Sequence, residues 1–178
     1  VRHAESPFIE GMERTRGLSD KGKIDAERIV SLLPKEGIDL FISSPYKRAI
    51  QTIKPLADAC EKDITIIEDL RERQIGVFQE GTFRDAKRKV YSDFHFAFED
   101  GESSDEAQKR AIDQLRRILH EHAGKTIVLG THGDIMTLMM NYFDKQYDFD
   151  FWQSATMPDI YELRFEETKF MQVTRKWN

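Results

Sequence analysis

The sequence predicts an α/β protein, a three-layer α/β/α sandwich whose mainly parallel sheet carries an antiparallel edge strand. Short apolar runs rich in branched residues alternate with longer amphipathic stretches, the pattern of a parallel sheet covered by helices. A chain of 178 residues suits one hydrophobic core, so a single domain over residues 1–178 is expected. After Met157 the pattern changes to two short strands joined by a Glu-Glu-Thr-Lys turn, which reads as a hairpin at the sheet edge.

Taken in order, Ser19 is placed to cap a helix running to about Leu33, and Leu40 to Ile42 reads as a strand. Ser44 and Pro45 open a second helix reaching about Cys60. Ile64 to Ile67 predicts a strand, Ser103 to about Ala123 a long helix, Ile127 to Leu129 a buried strand, and Gly133 to about Phe143 another helix. Tyr161 to Phe165 and Phe170 to Thr174 are the two strands of the hairpin. Between the strand ending near Ile67 and the long helix, residues 81–102 read as a lid. Its rings, Tyr91, Phe94, Phe96 and Phe98 beside His95, are expected to fill core.

Hydrophobic residues make up 39% of the chain and charged residues 33%, an ordinary soluble globular composition. A net charge of -5 argues against nucleic acid or an anionic membrane as a partner, since both reward a basic surface. Any anion must therefore be held by a local cluster of cations. Cys60 is the only cysteine, which excludes an intrachain disulfide framework and suggests a reducing, cytoplasmic setting. The longest apolar runs are far short of the roughly 20 residues needed to span a bilayer. The start at Val1, directly on a charged motif, suggests that residues upstream are missing.

Ligands of open α/β sheets sit beyond the carboxyl ends of the strands. Three such ends carry a cation or an imidazole: Val1 is followed by Arg2 and His3, Ile42 by Ser43, Ser44, Pro45 and Arg48, and Leu129 by Gly130, Thr131, His132 and Gly133. Arg48 falls in the first turn of a helix, where a cation opposes the helix dipole unless an anion sits there too. Each histidine has a small neighbour, Ala4 or Gly133, that lets backbone approach a ligand. Zinc is the competing ligand for paired histidines, but it asks for a third donor, and two arginines in the same pocket oppose a metal.

These residues also carry a family resemblance. Arg2-His3-Ala4-Glu5-Ser6 resembles the Arg-His-Gly-Glu signature of the histidine phosphatase superfamily, which includes phosphoglycerate mutases. Further blocks follow in the same order: Leu18 to Gly22, then Ser43-Ser44-Pro45 with Arg48, Ala49, Gln51 and Thr52, then Leu70-Arg71-Glu72 with Gly76, Gly101-Glu102-Ser103, and Thr131-His132-Gly133.

The resemblance implies that His3 is the nucleophile forming a phosphohistidine, that Arg2, Arg48 and a protonated His132 cradle the phosphate, and that Glu72 acts as general acid and base. It implies no metal and no cofactor, and a small phosphorylated substrate as the partner. Glu72 lies between Arg71 and Arg73, which are expected to depress its pKa, against the needs of an acid. Arg14 and Arg16, with the lid, are expected to shape specificity.

Three departures bear on function. Ala4 replaces the family's first Gly, Ile9 stands where mutase-like members carry Asn, and the run Val77 to Gly81 is one residue longer than in many phosphatase members. The stretch Thr82 to Asp100 is shorter than the lid insertion of cofactor-using mutases, which favours a phosphatase. The Leu-x-Glu-Arg start of the acid loop is similar to that of mutases and keeps a phosphoglycerate mutase as the alternative. An inactive phosphate-binding module is the third reading, opposed by the intact set of His3, Glu72 and His132. No sequence feature sets an oligomeric state.

Overall fold

A hydroxyl just before a helix takes up a backbone N–H that the first turn leaves free, and two of the predicted helices start that way. In the computed structural model, which describes residues 1–34 and 37–178, Ser19 caps α1 (Asp20–Leu32) by accepting from the Gly22 amide. Ser103 caps α4 (Ser104–Glu121) in a reciprocal box with Glu106. Between them run β1 (Leu40–Ser43), α2 (Lys47–Ala59), β2 (Ile64–Ile66), a short 3-10 turn (Glu68–Leu70) and α3 (Phe83–Ser92). After α4 come β3 (Ile127–Gly130), α5 (Gly133–Phe143), α6 (Phe149–Ser154), β4 (Tyr161–Glu166) and β5 (Lys169–Arg175).

β1 is the central strand, with β2 and β3 parallel to it on either side. Alternate residues of these strands face opposite layers, as the two-residue period requires. Phe41 and Val128 pack with Ile29 of α1 and with Ile53 and Leu56 of α2. Ile42 and Leu129 face the other way, onto Leu70 and Ile118. The second layer holds α4 and α5, where Ala107, Ala111, Ile112 and Leu115 meet Ile135, Leu138 and Met139. Every residue of α5 from Gly133 to Asn141 is buried, which explains why its sequence is apolar nearly all round.

The hairpin forms where the sequence placed it, with β4 and β5 antiparallel. It stands as a separate two-stranded ribbon and does not extend the parallel sheet. Its link to the sheet is Arg2, which bridges Thr131 in parallel on one side and Asp159 in antiparallel on the other. Phe143 of α5 stacks on Phe170 with ring centroids 4.8 Å apart, which seats the ribbon on the helical layer.

Residues 81–102 contain α3, started by Thr82 in a capping box with Asp85. Val90 and Tyr91 enter the core beside α4 and α5, and Phe94, Phe96 and Phe98 pack against it, while His95 points to solvent. α6 was not legible, because six residues give too little of a 3.6-residue period, although Asp148 caps it by accepting from the Asp150 and Phe151 amides. Among the described residues no helix is long and apolar enough to cross a membrane.

Candidate active site

The register of the sheet sets the site. Ser43 lies opposite Gly130, and a Cβ on Gly130 would come 2.9 Å from the Ser43 hydroxyl, so β1 and β3 approach closely only with Gly there. The chain leaving each strand therefore emerges at the same level. The amino-terminal segment joins that edge: the Thr131 amide donates to the Val1 carbonyl at 2.9 Å, and the His3 amide donates to the Thr131 carbonyl at 2.9 Å. In this way His3 is set beside His132, ring centroids 5.3 Å apart and edge to face.

Residues of the sequence blocks fasten this loop. Thr52 of α2 accepts from the Ala4 amide at 2.9 Å and donates to the Arg48 carbonyl at 2.7 Å. Gln51 accepts from the Leu18 amide at 3.0 Å, and Ser19 donates to the Glu5 carboxylate at 2.7 Å. Gly22 is required for a close approach, since a Cβ there would sit 2.2 Å from the Glu5 carbonyl oxygen.

His3 is buried, and its Nδ1 lies 2.8 Å from the Ala4 carbonyl oxygen. A carbonyl only accepts, so Nδ1 carries the hydrogen and Nε2 keeps its lone pair. Burial first, then the Arg48 guanidinium, push His3 down to about 3, against the Ala4 carbonyl, which raises it. His132 is fully buried and shares a 2.6 Å hydrogen bond between Nε2 and the Ser44 hydroxyl. Burial, His3 and Arg48 hold it well below its ordinary value. The expectation of a protonated His132 belongs to the phosphate-bound cradle, and burial, the largest cause, works against that proton.

Arg48, 2% exposed, lies over the Tyr46 ring at 4.9 Å and reaches Glu13 with Nη2 at 3.4 Å. Arg2 donates through Nη1 to the Ala155 carbonyl at 2.7 Å and packs on Gly133, where a Cβ would meet its Nη2 at 3.0 Å. Among the described residues the Nε atoms of Arg2 and Arg48 and the Nδ1 of His132 have no protein partner although buried. Arg16 is also drawn in, its Nη1 donating to the Ser6 carbonyl and hydroxyl at 2.7 Å each, and its charge is felt by both histidines. Arg14 turns outward to a paired bond with Glu68 at 2.8 Å for each oxygen.

Glu72 stands at the amino end of α5. Its carboxylate accepts from the Arg73 amide at 3.0 Å, the Asp134 amide at 3.3 Å and the Ile135 amide at 3.2 Å. The net shift is not the expected depression, although the Arg73 amide does favour the ionised form. Arg73 turns inward to Asp134 and the Ser104 hydroxyl, and Arg71 pairs with Asp69. Burial and the Asp134 carboxylate instead push Glu72 up, against Lys87 and Arg48. The loop itself is clamped by Arg110, which donates to the Asp69 and Arg71 carbonyls at 2.6 and 2.9 Å and forks onto Glu102 at 2.6 and 2.7 Å.

The structure thus brings together Arg2, His3, Arg48, Glu72 and His132, all five residues singled out in the sequence. Sequence reasoning missed Asp134, and it placed Arg16 in specificity with no sign that it belongs to the cation cluster. Among the described residues no three His, Cys, Asp or Glu side chains cluster to hold a metal ion.

The mixed α/β fold thus carries two imidazoles and a set of guanidinium groups at the carboxyl ends of its parallel strands, a local cluster of cations in a chain of net charge -5. The chain belongs to the histidine phosphatase superfamily (branch 1), whose family model matches residues 1–178. It is 30% identical to phosphoglycerate mutase-like protein 4 of Arabidopsis thaliana, over 97% of this chain and 88% of that protein. It is also 30% identical to a metal-independent phosphoserine phosphatase of the same plant, over 76% of this chain and 63% of that one. Among solved structures, the fold matches a phosphoserine phosphatase from Entamoeba histolytica in complex with 3-phosphoglyceric acid, with a TM-score of 0.79 at 20% identity. The match covers 99% of this chain and 94% of that one.

Proposed function

We propose that the chain is a metal-independent phosphatase that hydrolyses small phosphomonoesters through a phosphohistidine on His3. The observation that carries this reading is the His3 ring, held by the Ala4 carbonyl so that Nε2 is a free lone pair inside a ring of guanidinium groups. Nε2 attacks phosphorus, the bond to the ester oxygen breaks, and Glu72 gives that oxygen its proton. Water then attacks the phosphohistidine, Glu72 takes the proton back, and the P–N bond breaks to release phosphate.

Phosphoryl transfer gains chiefly from positioning and from neutralising charge on the equatorial oxygens. The buried, unpartnered Nε of Arg2 and of Arg48 and the Nδ1 of His132 are donors of the kind that such oxygens satisfy. A phosphate dianion here raises the affinity of His132 for a proton, so the charged imidazole of the cradle arrives with the ligand. The raised Glu72 carboxyl suits an acid near neutral pH. Arg16 adds positive charge to the pocket wall, and residues 81–102 serve as its lid.

The second reading is a phosphoglycerate mutase, favoured by the 30% identity to a mutase-like plant protein. It uses the same His3 and differs only in returning the phosphoryl group to product before water reaches it. A panel of phosphorylated metabolites, assayed for phosphate release with chelator present, separates the two. With 3-phosphoglycerate the expected product is inorganic phosphate. Efficient isomerisation to 2-phosphoglycerate with little phosphate freed would overturn the phosphatase reading and keep the residues.

A further inference from the structure

Asp134 is a fully buried anion two residues beyond His132, and the phosphatase chemistry leaves it without a task. Its carboxylate takes three partners from two other segments. Arg73 Nε donates to Oδ2 at 3.2 Å, Lys87 of α3 pairs with the same oxygen, and the Tyr91 hydroxyl of α3 donates to Oδ1 at 3.2 Å. Arg73 and Lys87 are themselves buried, so this is an ion cluster without solvent to screen it. Burial works to raise the Asp134 carboxyl, yet Lys87 and Arg73 outweigh it and hold it at about 2, permanently charged.

The groups facing Glu72 set the problem that this charge solves. Arg2 comes from the amino-terminal segment, Tyr46 and Arg48 from the start of α2, Arg73 from its own loop, Lys87 and Tyr91 from α3, and Asp134 from α5. Four of the seven are cations and the two tyrosines are neutral. Three backbone N–H groups and the amino end of α5 also favour an ionised Glu72. A general acid must hold a proton in this setting, and Asp134 is the one fixed negative charge in the set.

We infer that Asp134 is a positioning residue for Glu72: locked between Arg73, Lys87 and Tyr91, its carboxylate fixes the start of α5, whose Asp134 and Ile135 amides hold Glu72, and sets a negative charge close to that carboxyl. The inference rests on the reading of Glu72 as the acid. It also gives Lys87 a defined sign of action. Lys87 faces the same carboxyl with the opposite charge, so the two residues tune Glu72 in opposite directions.

The experiment compares kcat/KM from pH 4 to 9 for 3-phosphoglycerate, whose alkoxide leaving group needs a proton, and for p-nitrophenyl phosphate, whose phenolate does not. Wild-type activity on 3-phosphoglycerate is expected to fall as pH rises through the Glu72 titration, and activity on the aryl ester to lack that limb. Asp134→Asn is expected to move the limb down by roughly one pH unit, about a tenfold loss along it, with the aryl ester changed less than about threefold. Lys87→Met is expected to move the limb up. A 13C carboxyl titration of Glu72 reads the same two displacements without turnover.

If Asp134→Asn does not fold by near-ultraviolet circular dichroism, the comparison is made between Lys87→Met and the double variant Lys87→Met/Asp134→Asn, where no buried lysine is left unpaired. A Glu72 titration that superimposes on wild type, or equal losses on both substrates at every pH, overturns the inference. Failure of both Asp134 variants to fold also overturns it, in favour of a purely structural ion cluster. A wild-type enzyme inert on both esters but with both NMR displacements intact sinks only the phosphatase reading.

Discussion

The His3 and His132 rings meet edge to face with centroids 5.3 Å apart, and burial first, then neighbouring charges that include Arg48, push both imidazoles below their ordinary value. One ring has its Nδ1 committed to the Ala4 carbonyl, the other shares its Nε2 with Ser44. The pair is therefore pre-set for different tasks before any ligand enters.

His3→Ala is expected to leave the fold intact and to lower turnover by on the order of 10^3 or more, as when a covalent nucleophile is removed. Rapid-quench labelling of wild type with a 32P substrate should give an adduct stable to base and labile to acid. An adduct that survives acid but not base contradicts a phosphohistidine.

Arg48→Ala is expected to cost about 2–5 kcal/mol in transition-state stabilisation, the size of a lost, desolvated, charge-assisted contact. Arg48→Lys should recover little of it, because an ammonium has neither the planar fork nor the stacking on Tyr46. Wild-type kcat/KM in either variant returns Arg48 to a structural role.

The contribution of His3 to stability should rise with pH between about 3 and 6.5, opposed from pH 4.5 upward by Glu72, whose folded carboxyl is raised. His3 titrates near 3 in the folded chain and near 6.5 when unfolded, so within that window the unfolded chain binds the extra proton. His132 acts in the same direction, and Asp134 joins only below its ordinary 3.8. Each pH unit on a fully developed slope is worth roughly 1.4 kcal/mol per group. Melting temperature measured from pH 7 to pH 4 should fall, and His3→Asn should flatten the curve. An unchanged slope in that variant removes His3 from the explanation.

Leu138→Ala on α5 should destabilise the protein by about 2–5 kcal/mol, since the side chain is fully buried among α4, α5 and α3 residues and leaves a cavity. Urea denaturation measures this directly. A cost below about 1 kcal/mol means that the helical layer collapses onto the gap.

Much of this architecture was legible because its signals are local. Ser19 and Ser103 are hydroxyl caps at the first turn, and the start of α5 follows from a Gly placed after an apolar run. The position of Arg2, His3, Arg48 and His132 beyond apolar runs follows from how parallel sheets expose their carboxyl ends. The sign of the shift on Glu72 was not legible. Its sequence neighbours are arginines, but Arg73 turns inward, and the shift comes first from burial and then from the carboxylate of Asp134, 62 positions away. Asp134 shows no pattern in the sequence, since its partners come from a different helix and a different loop. The start of α3 did carry a readable signal, Thr82 followed three residues later by Asp85.

The Arg2 bridge couples the β4–β5 ribbon to the carboxyl ends of the parallel strands. Arg2 is sewn to Thr131 on one side and Asp159 on the other, and Asp159 is braced in turn by Arg175 of β5, Nε to Oδ1 at 2.9 Å. The segment bearing Arg2 and His3 thus takes part of its place from Asp159 and, through it, from β5. Unseating the ribbon would free one side of Arg2 while Thr131 keeps the other, so a change at β5 reaches the cation cluster at the strand ends without touching it.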